Sequence, residues 1–261
     1  MVYVSQRRIK GGAVIMAKTQ ELSQQMREQI ACVEQGSFDW FRARLGNITS
    51  SNVHFVMKAG KATKSNPNPE VFSDAAKGYL YQVASERNLF PSIVENDAYF
   101  EEYLYRVELS NKAIRYGQEN EDVARKVYEG RMKCEVAQAG FILHQTIPNY
   151  GDSPDGVVLD ENGKPVGTIE IKCPKPETFM RYKATIHNAE ELKTEKPEYY
   201  WQCQSHCECN NLPWCDFIFF DKMQQNGFVC IRIERNEEDI AAMKERIVLA
   251  NQFVEELLKA K

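Results

Sequence analysis

At 261 residues, 43% of them hydrophobic, the chain suits one compact fold with a sizeable core rather than a string of modules. A formal net charge of −4 excludes a protein that coats nucleic acid by bulk positive charge, although a local basic groove stays open. No apolar stretch reaches bilayer length and no secretion signal is expected, so the 8 cysteines read as reduced thiols of a cytoplasmic protein, not as a disulfide framework.

Residues 1–20 carry RRIKGG and few periodic apolar positions, and read as a flexible extension ahead of a single domain over 21–261. An amphipathic helix is expected from about Gln20, in TQELSQQMREQIACVEQG. The run SFDWFRARLGNITSSNVHFVMKAG predicts two short helices. The first stops at Gly46 and the second opens from the hydroxyls of Thr49, Ser50 and Ser51. KATKSNPNPEVFS is a polar loop, followed by long helical patterns in DAAKGYLYQVASERNLF and ELSNKAIRYGQENEDVARKVYEGRMK. After Cys134 the rhythm turns to short β-like runs, EVAQAGFILH, GVVLD, PVGTIEIKC, CDFIFFD and GFVCIRIE. A helical region, FMRYKATIHNAEELKTEKPEYYWQCQSHCECNN, interrupts them, and NEEDIAAMKERIVLANQFVEELLKA closes the chain as a helix.

LDENGKPV sets Asn-Gly between two apolar runs, which predicts a hairpin that brings Asp155 near Glu170. Strand alternation puts Glu170 and Lys172 on one face and Ile169 and Ile171 on the other, in the core. Two clustered carboxylates repel and drift toward protonation unless a divalent cation sits between them. Oxygen ligands of this kind suit Mg²⁺ or Mn²⁺. A lysine beside them can orient a water or stabilise charge building on a phosphate. An ordinary charged surface hairpin has the same spacing, and the residues alone leave both readings open.

Pro154-Asp155, a turn, then Glu170-Ile171-Lys172 on an apolar strand resembles the PD-(D/E)xK nuclease motif. Four blocks occur in order: EQGSFDWFRARLGNITSSNV, YGQENEDVAR, SPDGVVLDENGKPVGTIEIKCP with FMRYK, and YYWQCQ. Together, from about Val33 to Glu234, they resemble the phage lambda-type exonucleases, the YqaJ viral recombinase family. The resemblance implies an α/β fold with a restriction-endonuclease-like core, a central mixed β-sheet flanked by helices. It implies two Mg²⁺ ions per site, with Mn²⁺ substituting, held by Asp155, Glu170, the Ile171 carbonyl and Glu121. Lys172 falls on the catalytic lysine and Gln202 on the active-site glutamine, with Gln204 the weaker choice. Arg44 and Ser51 fall on the residues that hold a DNA 5′-phosphate. The implied activity is 5′ to 3′ degradation of one strand from double-stranded DNA ends, releasing 5′-mononucleotides and leaving a 3′ tail for recombination. A homotrimer, a single-strand annealing partner and a phage or prophage origin in a bacterial cell are implied likewise. The rivals are an endonuclease on the same core and an inactive protein that binds DNA ends.

Elementary chemistry bears on several of these residues. Glu121 shares a helical stripe with Ala124 and Tyr128, so an acid there points toward the sheet; Glu119 replaces it if the register slips. Arg44 can grip a phosphate through two N–H groups, or simply complement a helix end. Cys203, His206, Cys207, Cys209 and Cys215 crowd one span but match no zinc-ribbon spacing; Cys203 and Cys207, one turn apart, fit a helix core. His54, His144 and His187 are scattered, with His187 read as a surface residue. Lys175, Arg181 and Lys183 form a basic strip for DNA backbone contact.

Overall fold

Val, Ile and Phe repeat with strand periodicity after Cys134, and a computed structural model of the chain gathers those runs into a mixed sheet. The structure describes residues 32–107 and 112–260, except Thr63, Ser65 and Asn66, with only the backbone of the helix over 112–119. The extension 1–20 and the helix expected from Gln20 lie outside the described residues, apart from 32–36, which are turn or irregular. In chain order come α1 (Phe38–Arg44), β1 (Ile48–Thr49), a 3-10 turn (Ser50–Asn52), α2 (Val53–Val56) and α3 (Asp74–Arg87). Next are α4 (Pro91–Glu95), α5 (Asp97–Val107), α6 (Lys112–Met132), β2 (Glu135–Ala137), β3 (Ile142–Leu143) and β4 (Tyr150–Asp152). The rest comprises β5 (Gly156–Leu159), β6 (Pro165–Lys172), α7 (Pro176–Thr185), α8 (Ala189–Glu195), α9 (Pro197–Asn210), β7 (Trp214–Phe220), β8 (Phe228–Glu234) and α10 (Glu237–Lys259). No helix among the described residues is long and apolar enough to cross a membrane.

The main sheet runs β2-β5-β6-β7-β8, with β6 antiparallel to β5 and parallel to β7. The β5–β6 turn follows from its sequence. Asp160 accepts backbone N–H bonds from Asn162 and Lys164, both at 2.9 Å, and Gly163 takes φ +74°, which an L side chain resists. That turn fixes the register, and the register decides which residues face which layer. Ile169 and Ile171 pack on Ala124 and Tyr128 of α6, with Val158, Ile218 and Phe220. The opposite face, with Phe217 and Phe219, packs on Cys203 and Cys207 of α9 within the larger core that also takes in α3 and α10. Helices thus flank a central mixed sheet, and Glu170 and Lys172 point to the α9 side as strand alternation requires.

The departures from the sequence reading matter for the site. EVAQAGFILH does not make one strand: Glu135–Ala137 joins the main sheet, while Ile142–Leu143 joins a second sheet, ordered β1-β4-β3. The chain turns at Gly46 (φ +71°), but the hydroxyls after it cap no helix by side-chain bonds. Ser50 instead bonds Ser205 at 2.6 Å, and Thr49 bonds Ser51 at 3.2 Å. β1 and β4 are too short to carry a period, and α4 and α5 bury Val94 and Phe100 beside Leu45.

Candidate active site

β4 runs parallel to β1 and hands the chain to Ser153-Pro154-Asp155, so both sheets meet at the acidic pair. Asp155 precedes β5 and is held three ways. Its N–H donates to Ile169 O at 3.2 Å, its Oδ2 accepts the Ile171 N–H at 2.6 Å, and its carbonyl accepts Arg125 Nε from α6 at 3.1 Å. Glu170, two residues along β6 from Thr168, is 1% exposed. It accepts the Lys172 ammonium on Oε1, and His206 Nε2 faces its Oε2 at 2.7 Å. The imidazole's other nitrogen faces Asp152 Oδ1 at 2.6 Å, whose second oxygen accepts Asn210 Nδ2 at 2.7 Å.

The electrostatics of this group follow from burial. Burial, then Glu170 and Glu121, push the Asp155 carboxyl well above the usual range. Burial, then Glu170, raise Glu121 as well. Burial also opposes the charge on Glu170, but Lys172 and then His206 outweigh it and bring its pKa down. Lys172 is raised because Glu170, then Asp155, override its own burial. Burial would lower the His206 imidazole, yet Asp152 and then Glu170 hold it well above the usual histidine range.

A cavity of about 770 Å³ opens over these groups, lined by Glu121, Asp155, Glu170, Lys172 and Gln202. The same cavity extends to Arg44, Ser51, Trp40 and Ser153. Arg44 donates from Nη1 to Ser153 Oγ and from Nη2 to Ser51 Oγ, each at 3.3 Å, while its guanidinium lies 4.3 Å from the Trp40 ring centre. The Trp40 indole N–H donates to Ser153 Oγ at 3.0 Å, so that oxygen accepts two bonds at the cavity wall. A planar cation flanked by two hydroxyls is the chemistry that takes a phosphate. Gln35 fastens the loop above by donating to Ala139 O at 2.8 Å and Pro154 O at 2.9 Å.

The structure therefore draws Asp155, Glu170, Lys172, Glu121, Gln202, Arg44 and Ser51 to one cavity, with Ile171 beneath, packed on α6 and tied to Asp155. Gln204 is turned away: it donates to Glu234 O and accepts the Asn236 N–H, both at 2.9 Å, tying β8 to α10. The Glu119 side chain lies outside the described residues. Cys203 and Cys207 are fully buried in the core, as their one-turn spacing suggests, while His206 on the same helix turns to the carboxylates. Lys175 and Arg181 are exposed, Lys183 donates to Asn226 O at 3.3 Å, and His187 pairs with Glu191 at 2.9 Å. None of these four lines the cavity.

Sequence reasoning missed Ser153, Trp40, Gln35, Asp152 and the role of His206. Ser153 stands inside the SPD block, and Trp40 lies one helical turn before Arg44, so both had a local signal. His206 and Asp152 lie 54 residues apart and meet through the fold alone.

Asp155, Glu170 and Glu121 offer carboxylate oxygens, the donor set of a hard divalent cation. Among the described residues no three His, Cys, Asp or Glu side chains close around one point.

Comparison with known proteins bears on this geometry. Residues 39–211 match the model of the YqaJ-like viral recombinase domain. The fold is similar to that of an alkaline exonuclease, LHK-Exo, from Laribacter hongkongensis, at 30% identity and TM-score 0.64, covering 85% of this chain and 95% of that one. The same protein in complex with dAMP matches equally. A phage-related exonuclease from Haemophilus somnus 129PT shares the fold at 16% identity and TM-score 0.54, over 81% of this chain and 95% of that one. None of the curated proteins matches the chain.

Proposed function

The chain belongs to the YqaJ-like viral recombinase family, and from that premise we propose that it is a Mg²⁺-dependent exodeoxyribonuclease that digests one strand of duplex DNA from the 5′ end. The observation that carries the reading is the single cavity in which the acidic pair with its lysine and the Arg44, Ser51 and Ser153 cluster stand together. A cutting centre joined to an anion grip suits a chain end, because a terminal 5′-phosphate carries charge that an internal phosphodiester lacks.

When bound, a divalent cation supplies Lewis-acid charge that makes water nucleophilic near neutral pH and offsets the charge of the phosphate. Asp155, Glu170, Glu121 and the Ile171 carbonyl would hold two such ions, with Mn²⁺ able to take the place of Mg²⁺. The Lys172 ammonium stabilises negative charge building on the phosphate oxygens, and Gln202 hydrogen-bonds the attacking water or Lys172. Arg44, Ser51 and Ser153 orient the terminal phosphate, so cleavage falls one nucleotide in and releases a 5′-mononucleotide. A 3′ single-stranded tail remains, the substrate of a strand-annealing partner in recombination. Enclosure of the duplex by a homotrimer belongs to the same reading. The neighbour solved with dAMP supports it, since that molecule has the size and charge of the proposed product.

The test offers Mg²⁺ and two substrates, linear 5′-phosphorylated duplex and closed circular duplex, to the protein and to Lys172→Ala. Mononucleotides from the linear DNA alone, lost in the variant, are expected. Equal cutting of circles overturns the exonuclease in favour of an endonuclease. Metal-independent or absent release overturns both.

A further inference from the structure

Gln202, His206 and Asn210 lie at four-residue intervals on α9 and form one stripe facing β6 and β4. Gln202 borders the cavity, and His206 lies behind it with no exposed surface. Each ring nitrogen of His206 faces a carboxylate oxygen, Asp152 Oδ1 at 2.6 Å and Glu170 Oε2 at 2.7 Å, so both nitrogens act as donors. Asn210 Nδ2 closes the far end, donating to Asp152 Oδ2 at 2.7 Å and to His206 O at 2.8 Å. The ring cannot leave Glu170 without breaking its bond to Asp152 as well.

The two oxygens of Glu170 are therefore unequal. Oε1 is held by Lys172, a flexible side chain 28% exposed at the cavity, whereas Oε2 is held by a fully buried ring fixed from behind. We propose that His206 is a positioning residue that withholds Oε2, so that Glu170 presents Oε1 alone to the cavity and the acidic pair prefers a small divalent cation over calcium. The inference rests on the reading that Glu170 is a cation ligand. Its physical ground is that calcium takes six to eight oxygens and favours carboxylates that lend both, while magnesium takes single oxygens in a tight octahedron. Partners behind a ligand commonly change metal affinity about 10- to 100-fold.

The experiment uses the full chain without DNA. Bound Mn²⁺ is measured from the loss of its free-ion EPR signal, and Mg²⁺ and Ca²⁺ are then titrated in as competitors. His206→Gln keeps a donor at the distance of Nε2 and so retains the Glu170 contact; His206→Asn keeps one at the distance of Nδ1 and so retains only Asp152. His206→Asn is expected to move the ratio of calcium to magnesium affinity about 10-fold toward calcium, with His206→Gln close to wild type. A merely structural role moves both variants alike. If His206→Asn lacks the wild-type circular dichroism spectrum, His206→Leu decides, because it removes the donor to Glu170 together with the donor to Asp152 and shifts the ratio the same way. Wild-type ratios in these variants, with Mn²⁺ still bound, overturn the proposal while leaving the nuclease reading intact. Absence of Mn²⁺ binding by the wild type overturns the cation reading itself.

Discussion

Arg44→Ala removes a guanidinium that lines the cavity, donates to Ser51 and Ser153 and stacks on Trp40. Under the proposed function this group meets the terminal phosphate through a charged hydrogen bond, worth about 1.5–3 kcal/mol. Taking about 2–3 kcal/mol for the fork, and about 1.4 kcal/mol per tenfold, the preference for a 5′-phosphorylated over a 5′-hydroxyl end should fall about 30- to 150-fold. Arg44→Lys keeps the charge but loses the planar fork and part of the stacking, and should recover only part of that preference. The assay is kcat/KM on two duplexes differing only in the 5′ end, because the ratio cancels losses common to both. Circular dichroism controls for folding, since Arg44 also lies against Phe141. If Arg44→Ala slows both substrates equally, the arginine is a general backbone contact or a helix-end charge, and the end-recognition argument is refuted.

Asp155→Asn should abolish turnover yet stabilise the fold. A carboxyl whose folded pKa is raised costs stability above its unfolded pKa, while an Asn oxygen can still accept the Ile171 N–H; Tm should rise about 2–4 °C for each kcal/mol gained, and an unchanged or lower Tm argues against the strain among Asp155, Glu170 and Glu121. Glu208 behaves oppositely: burial would raise its pKa, but Lys244 at 2.7 Å, Arg235 at 2.5 Å and His144 at 3.1 Å draw it from 4.5 down to about 2. Its contribution is fully present above pH 4.5 and disappears as pH falls toward about 2. Discounted for the solvent at its rim, that is about 2 kcal/mol, so Glu208→Gln should lower the urea midpoint at pH 7 and flatten the loss between pH 4.5 and 2. Gly167→Ala would set a Cβ 2.3 Å from the Trp214 ring, itself pinned 3.7 Å under Arg232. Overpacking there should cost about 1–3 kcal/mol in chemical denaturation without changing substrate preference.

The hairpin was legible because turn chemistry and strand alternation act locally. Asn-Gly ahead of an apolar run sets the register, and the register alone puts Glu170 and Lys172 opposite Ile169 and Ile171. Glu121, placed by the family resemblance, shares the stripe of Ala124 and Tyr128 and lines the cavity. β1 and β4 were not legible, since two or three residues carry no period and their pairing joins Ile48 to Tyr150 across the chain. The hydroxyls of Thr49, Ser50 and Ser51 look alike in sequence, but their neighbours divide them: Ser50 is drawn under Ser205 and Ser51 is left to Arg44. His206 was hidden among cysteines, and only the fold, which brings Asp152 of β4 and Glu170 of β6 to α9, gives it two carboxylates.

Under the proposed function the grip on a terminal phosphate and the cutting centre serve one strand end in one cavity. Single-turnover digestion of a duplex labelled at its 5′ or its 3′ terminus, with Mg²⁺ and excess protein, tests it most directly. The 5′ label should leave in the first turnover as a mononucleotide while the 3′ label stays on long strands. Release of the 5′ label on an oligonucleotide, or of the 3′ label first, contradicts it.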